Sequence, residues 1–301
     1  MKKIVAVIVW FNPKKLGIDN IVFNIHSYLD YFDKIYIVDN SESDNSDICE
    51  KLSKYTYLKN KNKGGIAGAQ NLGCKEALKD GFEWVMTLDQ DSSFNKLMME
   101  KYIFLFNKYS NNDEIVSFGT EVNNLNEYMD YLKWIRKKIF RPIKRFFIPF
   151  KQPAISEIEY KTFTIASGNI INLNAWSVLG GFDEYLFIEE VDSNFCHRII
   201  RSGKKIAKFP QVILDQCFGE KKKFTLFPKL RPIYTDFRYF YVFRNKMIEC
   251  LRFPEYKKSY KKHLKCFFID YCINTVHPIK HLRVYFKARK EFKIFKKKYY
   301  D

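Results

Sequence analysis

The chain has 301 residues, of which 47% are hydrophobic and 29% are charged, so its composition excludes a disordered or fibrous protein. Its formal net charge is +18, yet residues 1–220 hold 29 basic and 28 acidic side chains, whereas residues 221–301 hold 23 basic and 6 acidic ones. A near-neutral body with a basic, aromatic tail argues against a nucleic-acid-binding surface along the whole chain and predicts one docking surface for an anionic partner, either a membrane or a nucleic acid.

Hydrophobic periodicity in the first 120 residues alternates between short apolar runs and helical spacing, which is typical of a parallel sheet covered by helices. The elements predicted in chain order are a strand at Ile4–Trp10, a helix within Leu16–Leu29, a strand at Lys34–Val38, a helix at Asp44–Lys54, a strand at Tyr55–Leu58, a helix at Gly68–Lys79, a strand at Trp84–Leu88, a strand at Phe163–Leu173 and a helix at about Asp192–Arg201. Residues 133–151 carry eight basic side chains and no acidic one, which indicates a second surface-binding segment.

Polar residues follow two of the predicted strands, at the edge where open α/β sheets bind their ligands. Asp39-Asn40 follows the second strand, and Asp89-Gln90-Asp91 follows the fourth. Phe11-Asn12-Pro13 stands after the first strand in place of the GxGxxG of a dinucleotide site, and no Walker loop, HExxH or GxSxG occurs. The sequence therefore argues against an oxidoreductase, a P-loop NTPase, a zincin and an α/β-hydrolase.

Two segments could bind a nucleoside diphosphate. Asp89 and Asp91 offer hard oxygen ligands that can hold Mg²⁺ or Mn²⁺ against a diphosphate, although an acidic turn that caps the next helix is the alternative. The glycine-rich segment Asn62–Gly73 leads into a helix whose N-terminus could accept phosphate, and a tight turn with close helix packing is the alternative there.

A third segment could supply a general base. Asp192 lies at the mouth of a predicted helix, where a carboxylate can deprotonate an acceptor hydroxyl. Glu189 or Glu190 could take its place as the base, and a helix-capping role is the alternative for Asp192.

The ordered set of motifs, which consists of Asp39-Asn40, NKGGIAGAQNLG, LDQDS, Ser167-Gly168-Asn169, GGFDEYLFIEEVD and CHR, resembles inverting family 2 glycosyltransferases of the GT-A fold. Within that family it is most similar to bacterial rhamnosyltransferases of polysaccharide assembly, and the resemblance covers about residues 3–250. It implies an α/β fold with a mostly parallel, Rossmann-like sheet flanked by helices. Residues 1–250 are then the transferase domain, with a nucleotide-sugar-binding half at 1–120 and an acceptor and catalytic half at 160–250. Residues 251–301 form a basic, aromatic tail that we expect to be helical and to associate with a membrane.

The resemblance also implies roles for individual residues. Asp192 is the base, Asp91 is the ligand of Mg²⁺ or Mn²⁺, and the donor is bound by Asn12, Asp39, Gly65, Asn71, Asp89, Asp91, Arg198 and Arg244. A surface ion pair is the alternative for both arginines. Two positions depart from the family pattern, because Gln216 replaces a common histidine and Asn194 replaces a common acid. An amide is a poor metal ligand, so coordination is expected to depend on Asp91, the diphosphate and water.

The function expected from this resemblance is transfer of a sugar onto a lipid-linked glycan in cell-surface polysaccharide assembly. L-Rhamnose from dTDP-L-rhamnose is favoured, and another nucleotide sugar such as UDP-galactofuranose is the alternative. A basic nucleic-acid-binding protein is a further alternative, but the acidic strand ends would repel a polyanion and no nucleic-acid partner is expected.

Cysteine usage and hydropathy predict the compartment. The seven scattered cysteines form no CxxC pair, which is typical of reduced thiols in a cytosolic protein. The apolar run after Lys3 has no cleavage site for a signal peptidase, and no segment approaches the ~20 apolar residues that span a bilayer. Because the tail alternates lysines with aromatic residues, we expect a cytoplasmic protein that lies on the anionic inner face of the cell membrane. A solvated basic face is the alternative for the tail.

Overall fold

The structure is a computed structural model that describes residues 2–124, 156–217, 235–272 and 278–300. The chain divides into two compact units, of which the first comprises residues 1–123 and 156–216 and the second comprises residues 124–155 and 217–301. The predicted end of the transferase domain at residue 250 stays a prediction, and so does the division of that domain into a donor half and an acceptor half. The basic segment at 133–151 lies outside the described residues.

The first unit alternates strands and helices, as its sequence periodicity predicts. Its elements are β1 (Ile4–Trp10), α1 (Ile18–His26), β2 (Lys34–Asp39), β3 (Tyr55–Lys59), α2 (Gly65–Lys79), β4 (Trp84–Asp89), β5 (Ser93–Phe94), α3 (Lys96–Tyr109), β6 (Ile115–Asn124), β7 (Glu159–Lys161), β8 (Asn169–Asn172), α4 (Leu173–Val178), α5 (Val191–Arg201) and β9 (Lys205–Gln216). In the described residues the strands form one sheet in the order β3-β2-β1-β4-β8-β6-β9-β5, and β7 pairs with β9.

The sheet is parallel from β3 to β4 and antiparallel where β8 joins β4. All seven residues of β1 are buried, because a parallel strand between two layers must be apolar on both faces. Helix α2 lies close to this part of the sheet, and a Cβ atom on its Gly73 would come within 2.5 Å of a Val7 methyl group. Because the three strands are parallel neighbours, the carboxyl ends of β1, β2 and β4 form one edge of the sheet.

Two of the predicted elements differ from the structure. The predicted helix at Asp44–Lys54 is a six-residue 3₁₀ helix, Ser46–Lys51, because the preceding Asn45 turns its side chain back to Asp39 and Lys54 has a left-handed φ of 56°. The predicted strand at Phe163–Leu173 is shortened to β8, because Gly168 adopts a φ of +72° and ends the extended chain. A turn therefore stands where the apolar pattern predicted a strand.

The second unit contains three described helices, α6 (Asp236–Arg252), α7 (Lys257–Cys272) and α8 (Pro278–Tyr299), which confirms that the basic C-terminal region is helical. Its core contains Tyr239, Phe243, Tyr271 and Ala288. The Tyr271 hydroxyl donates to Asp236 over 2.6 Å and so joins α7 to the start of α6. Among the described helices, none is both long and apolar enough to cross a bilayer.

Candidate active site

The edge formed by β1, β2 and β4 brings together the first group of predicted site residues. Asp39 is in register with Trp10, and Asp89 is in register with Val9 on the other side of the same strand. Because neighbouring strands lie about 4.8 Å apart, the Cα atoms of the two aspartates are about 10 Å apart. This spacing is compatible with a nucleotide that lies across the end of β1.

Side chains join the three loops at this edge. The Gln90 amide pairs with the backbone of Phe11, accepting from its N–H at 2.9 Å and donating to its carbonyl at 3.0 Å. The next backbone N–H, that of Asn12, donates to the Ser41 hydroxyl at 2.8 Å. Asn12 has a left-handed φ of 49°, and the Phe11 side chain is left 51% exposed. Sequence analysis missed Gln90 and Phe11, because only the structure shows that the DQD loop holds the end of β1.

Asp39 is fully buried and its carboxylate has several local donors. One oxygen accepts from the Ser41 N–H at 2.9 Å, and the other accepts from the Asn45 amide at 2.8 Å and from the Tyr57 hydroxyl at 2.6 Å. Burial, together with the hydrogen bond to Asp39, raises the pKa of Tyr57. Asp39 therefore shapes the loop after β2, and its predicted contact with the nucleotide base stays a prediction.

Asp89 and Asp91 are brought together by Gln216, the last residue of β9. The Gln216 Nε2 atom lies 2.7 Å from Asp89 Oδ2 and 3.4 Å from Asp91 Oδ1. Behind them the Ser167 hydroxyl accepts from the Asp89 N–H at 3.2 Å and contacts the Ser92 hydroxyl at 2.6 Å. The turn at Ser167 thus fixes the loop that carries both carboxylates, a supporting role that the sequence motif alone did not reveal.

The donor set of this cluster fits a hard divalent cation. Asp89 and Asp91 supply carboxylate oxygens, and the Gln216 Oε1 atom is buried with no hydrogen-bond partner among the described residues. Carboxylate oxygens are the side-chain ligands that Mg²⁺ and Mn²⁺ prefer in proteins, and an amide oxygen is a weaker ligand than a carboxylate. Within the described ranges no group of three or more His, Cys, Asp or Glu residues could hold a metal ion.

The glycine-rich segment has a structural explanation at the start of α2. The Phe187 carbonyl accepts from the Ile66 N–H at 2.9 Å, so a backbone carbonyl meets one of the N–H groups that the sequence suggested for phosphate. A Cβ atom on Gly65 would come within 2.2 Å of that carbonyl, and the φ of Gly65 is +62°. Gly65 is thus required for close contact with the loop around Phe187, and donor binding by Gly65 stays a prediction.

Asn71 on α2 and Arg198 on α5 both hydrogen-bond to the backbone of the segment that precedes Asp192. The Asn71 amide accepts from the Phe182 N–H at 2.8 Å and donates to the Phe182 carbonyl at 2.9 Å. Arg198 donates to the carbonyls of Leu179 at 2.5 Å and Gly181 at 2.6 Å. Their hydrogen bonds show that Asn71 and Arg198 tie α2 and α5 to the segment before Asp192. The predicted contacts of both residues with the donor stay predictions.

The loop before α5 is strained at several positions. Phe187, Glu189 and Glu190 have left-handed φ values of 65°, 63° and 63°, which non-glycine residues rarely adopt and which cluster at functional sites. Glu190 is the N-cap residue of α5. Asp192 therefore lies inside the first turn and is not the N-cap residue, which corrects the alternative that Asp192 occupies the N-cap position.

Asp192 has an environment that suits a proton acceptor. It is partly buried, and its Oδ1 atom accepts from the Ser193 N–H at 2.9 Å. Burial raises the pKa of Asp192 from 3.8 to about 7, and the nearby carboxylates of Glu190 and Glu189 contribute to the rise. An acid with a pKa near neutrality exchanges protons readily at physiological pH. The position of the usual second acid is taken by Asn194, which accepts from Arg198 Nε at 2.9 Å.

Arg244 lies in the other compact unit, on α6. Its guanidinium group stacks over the ring of Tyr241 at 4.6 Å and its Nε donates to Asn245 at 2.9 Å. The predicted contact of Arg244 with the donor stays a prediction.

Comparisons with known proteins agree on fold and family. A family model described as "Glycosyl transferase family 2" matches residues 6–166. The chain is 25% identical over 251 residues to a dTDP-rhamnosyl transferase, RfbF, from Shigella flexneri, and the match covers 81% of this chain and 79% of RfbF.

Solved structures with a similar fold include S. aureus TarS 1-349 in complex with UDP-GlcNAc, at 13% identity and a TM-score of 0.59, with 96% of this chain and 80% of that chain covered. GalNAc-T7 with UDP, GalNAc and Mn²⁺ matches at 13% identity and a TM-score of 0.54, with 92% and 58% covered. This chain spans 40% of a longer TarS structure, at 15% identity, a TM-score of 0.52 and 83% coverage of this chain. The fold is therefore the GT-A fold, as the sequence motifs predicted.

Proposed function

The chain belongs to glycosyl transferase family 2, and from that premise we propose that it is an inverting transferase in which Asp192 is the catalytic base. The observation that carries this proposal is the carboxyl group of Asp192, whose pKa is raised to about 7 at the start of a helix. Asn71 and Arg198 support it, because they hold the preceding loop in place from two sides.

The proposed reaction is a single displacement. The acceptor hydroxyl oxygen attacks the anomeric carbon of the donor and forms the new glycosidic bond while its proton passes to a carboxylate oxygen of Asp192. The bond between the anomeric carbon and the diphosphate oxygen breaks, and its electron pair leaves with the nucleoside diphosphate. Because attack and departure occur on opposite faces, the configuration is inverted.

Asp89, Asp91 and Gln216 are the residues that would hold Mg²⁺ or Mn²⁺. When bound there, the cation offsets the negative charge that develops on the leaving diphosphate. The remaining ligands of such a cation come from the diphosphate and water. We propose that Asp39 and Asn12, at the ends of two neighbouring strands, lie on the nucleoside side of the donor.

For the donor we propose dTDP-L-rhamnose, on the basis of the likeness to the rhamnosyl transferase from Shigella flexneri. We expect dTDP-L-rhamnose with Mn²⁺ to raise the melting temperature more than UDP-galactose, UDP-galactofuranose, UDP-glucose or GDP-mannose, because a bound ligand stabilises the folded state by mass action. A thermal-shift series with and without Mn²⁺ measures this. A shift with uridine donors alone would overturn the rhamnosyl assignment, and no shift with any donor would contradict donor binding altogether.

For the acceptor we propose a lipid-linked glycan. We also propose that this protein lies on the inner face of the cell membrane, where it can reach such an acceptor. The support is the outward face of α8, where Ile279, Phe286 and Ile294 are 69%, 57% and 52% exposed. They are seven and eight positions apart, which places them on one side of a helix. The same side carries the exposed basic residues Arg283, Lys290, Lys293 and Lys297. Exposed apolar residues flanked by lysines are typical of a helix at an anionic membrane surface.

We expect the double substitution Phe286→Glu and Ile294→Glu to reduce binding to vesicles of phosphatidylglycerol and phosphatidylcholine at least tenfold. It removes apolar contact and adds two negative charges, each of which opposes about 1 kcal/mol of attraction. Vesicle co-sedimentation measures the loss. The matched control is Phe104→Glu on α3, where the ring is 66% exposed in the first unit. Equal binding by wild type and the double variant would contradict the role of α8, and tight, salt-sensitive RNA binding would favour the nucleic-acid alternative.

A further inference from the structure

The C-terminal end of α1 lies against the loop that carries Asp91. The Asn24 amide donates to the Gln90 carbonyl at 3.2 Å, and the Ser27 hydroxyl accepts from the Phe94 N–H at 3.1 Å. These two backbone groups lie on either side of Asp91 in the chain. The end of α1 therefore holds this loop both before and after the carboxylate.

Asn24 and Ser27 also bond to each other, so they form one unit. The Ser27 hydroxyl donates to the Asn24 carbonyl at 2.6 Å while its oxygen accepts from Phe94. A hydroxyl has one proton to donate and two lone pairs with which to accept, so both interactions form at once. Both residues are half-buried, and water therefore competes less with their contacts to the loop than it would at a fully exposed position.

The held loop leads into the strand that joins it to Gln216. Phe94 belongs to β5 and is in register with Leu214 of β9. The same strand β9 ends at Gln216, whose amide contacts both carboxylates of the candidate cation site. A change in the position of Phe94 would thus alter the distances between Gln216 and the two carboxylates.

Tyr28, the residue after Ser27, packs against the same loop. Its ring is fully buried and meets the Phe94 ring edge-on, with the ring centroids 6.5 Å apart. Burial raises the pKa of Tyr28, and the negative charges of Asp91 and Asp89 add to the rise. The end of α1 is therefore near both carboxylates.

We propose that Asn24 and Ser27 are positioning residues for the cation that Asp89 and Asp91 would hold. They act on Asp91 through the backbone of its loop, without contact with the cation or the donor. Residues that orient metal ligands typically change metal affinity about 10–100-fold when they are replaced. Because Asn24 and Ser27 act one step further away, we expect a smaller effect. This inference rests on the cation site of the proposed function.

The test is a Mn²⁺ titration of the full chain in excess dTDP, repeated in excess UDP, with the melting temperature as the readout. The diphosphate completes the cation site whatever sugar it carries, so both nucleotides serve as probes. Asn24→Leu removes the amide that donates to the loop, and Ser27→Ala removes the hydroxyl. Each should raise the Mn²⁺ concentration at half-saturation about threefold to tenfold. Ser27→Thr keeps a hydroxyl and should retain the wild-type value.

The matched control is Asn20→Leu, which makes the same chemical change on the same helix. The Asn20 amide donates to the Leu16 carbonyl, four residues earlier in the chain and away from the loop, so half-saturation should be unchanged. A purely structural role of Asn24 would lower the melting temperature without ligand and leave half-saturation where it is in wild type. If Asn24→Leu does not fold, the comparison of Ser27→Ala with Ser27→Thr decides the question.

Two results would overturn the inference, and they differ in what they say about the proposed function. If wild type responds to Mn²⁺ and the variants at Asn24 and Ser27 respond at the same concentration, the positioning role alone is wrong. If wild type does not respond to Mn²⁺ with either nucleotide, the proposed cation site is wrong and this inference fails with it.

Discussion

Replacing Asp192 by asparagine is expected to reduce sugar transfer by about 10²–10⁴-fold, the usual contribution of a positioned general base. Asparagine has nearly the same shape and can still accept the Ser193 N–H through its Oδ1 atom, which is the hydrogen bond that Asp192 makes. Donor binding, measured by thermal shift, should stay within a factor of three of wild type. A matched control is Asp183→Asn, which makes the same chemical change in the preceding loop and should retain transfer.

The pH dependence of transfer tests the same assignment in a second way. The base acts only when it is deprotonated, and burial, followed by Glu190, raises the pKa of Asp192 to about 7. The transfer rate should therefore rise as pH increases through about 7 and level off above 8. Glu190→Gln removes one of the two neighbouring negative charges and should move this rise to lower pH. A rate that is flat between pH 5 and 8 in wild type, or full activity in Asp192→Asn, would show that Asp192 is not the base.

The raised pKa also has a consequence for stability. A carboxyl whose pKa is higher in the folded protein binds its proton more tightly there, so stability is fully present below pH 4 and is lost as pH rises towards 7. Asparagine never ionises, and Asp192→Asn should therefore be more stable than wild type at pH 8, by about 2 kcal/mol after allowance for solvent screening. The difference should shrink at pH 5. Melting curves at both values measure it, and a variant less stable than wild type at pH 8 would contradict an Asp192 whose ionised form is disfavoured in the folded protein.

The residues at the strand ends were predictable because topology fixes where they lie. Once β1, β2 and β4 are parallel neighbours, Asp39 and Asp89 must share an edge, and the register places them on either side of β1. The hydrophobic pattern is sufficient for this part of the fold. It could not give the turn at Gly168, because the turn depends on one positive φ within an otherwise apolar run.

The partners of long polar side chains could not be predicted from the sequence. Asn71 bonds to the backbone of Phe182, which lies 111 residues away, and no local pattern encodes such a contact. Arg198 has the charge expected of a phosphate ligand, yet it donates to two backbone carbonyls. A residue type defines what a side chain can bind, whereas the fold decides what it meets. The predicted contact of Asn71 and Arg198 with the donor therefore stays a prediction.

The start of α2 illustrates the same limit. Glycines before a helix predicted an anion site, since helix N–H groups attract phosphate. In the structure Gly65 allows the Phe187 carbonyl to approach the helix, and the Ile66 N–H donates to it. A phosphate site and a close contact with a loop require the same glycines, so the sequence cannot distinguish them. The position of a loop more than 100 residues away does.

Replacing Asp91 by asparagine is expected to lower transfer by about 10²–10³-fold and to remove the effect of Mn²⁺ on donor binding. The charge of the Asp91 carboxylate is needed to hold a divalent cation against the diphosphate, and an amide supplies an oxygen without that charge. The measurement is the donor-induced thermal shift across a Mn²⁺ titration, followed by transfer assays at saturating Mn²⁺. The matched control is Asp30→Asn at an exposed position of the first unit, which should leave both unchanged.

Gln216 provides the complementary gain-of-function variant. Its amide contacts both carboxylates, at 2.7 and 3.4 Å, and its Oε1 atom is buried with no partner in the described part of the chain. Gln216→His places an imidazole nitrogen beside Asp89 and Asp91. Because histidine is a common metal ligand and an amide is a poor one, half-saturation should occur at a Mn²⁺ concentration about tenfold lower. Wild-type transfer that is undiminished in excess EDTA, or an Asp91→Asn variant that still responds to Mn²⁺, would show that the two carboxylates serve the donor without a cation. In that case the Gln216 N–H group, which already donates to Asp89, would be the group that offsets their charge.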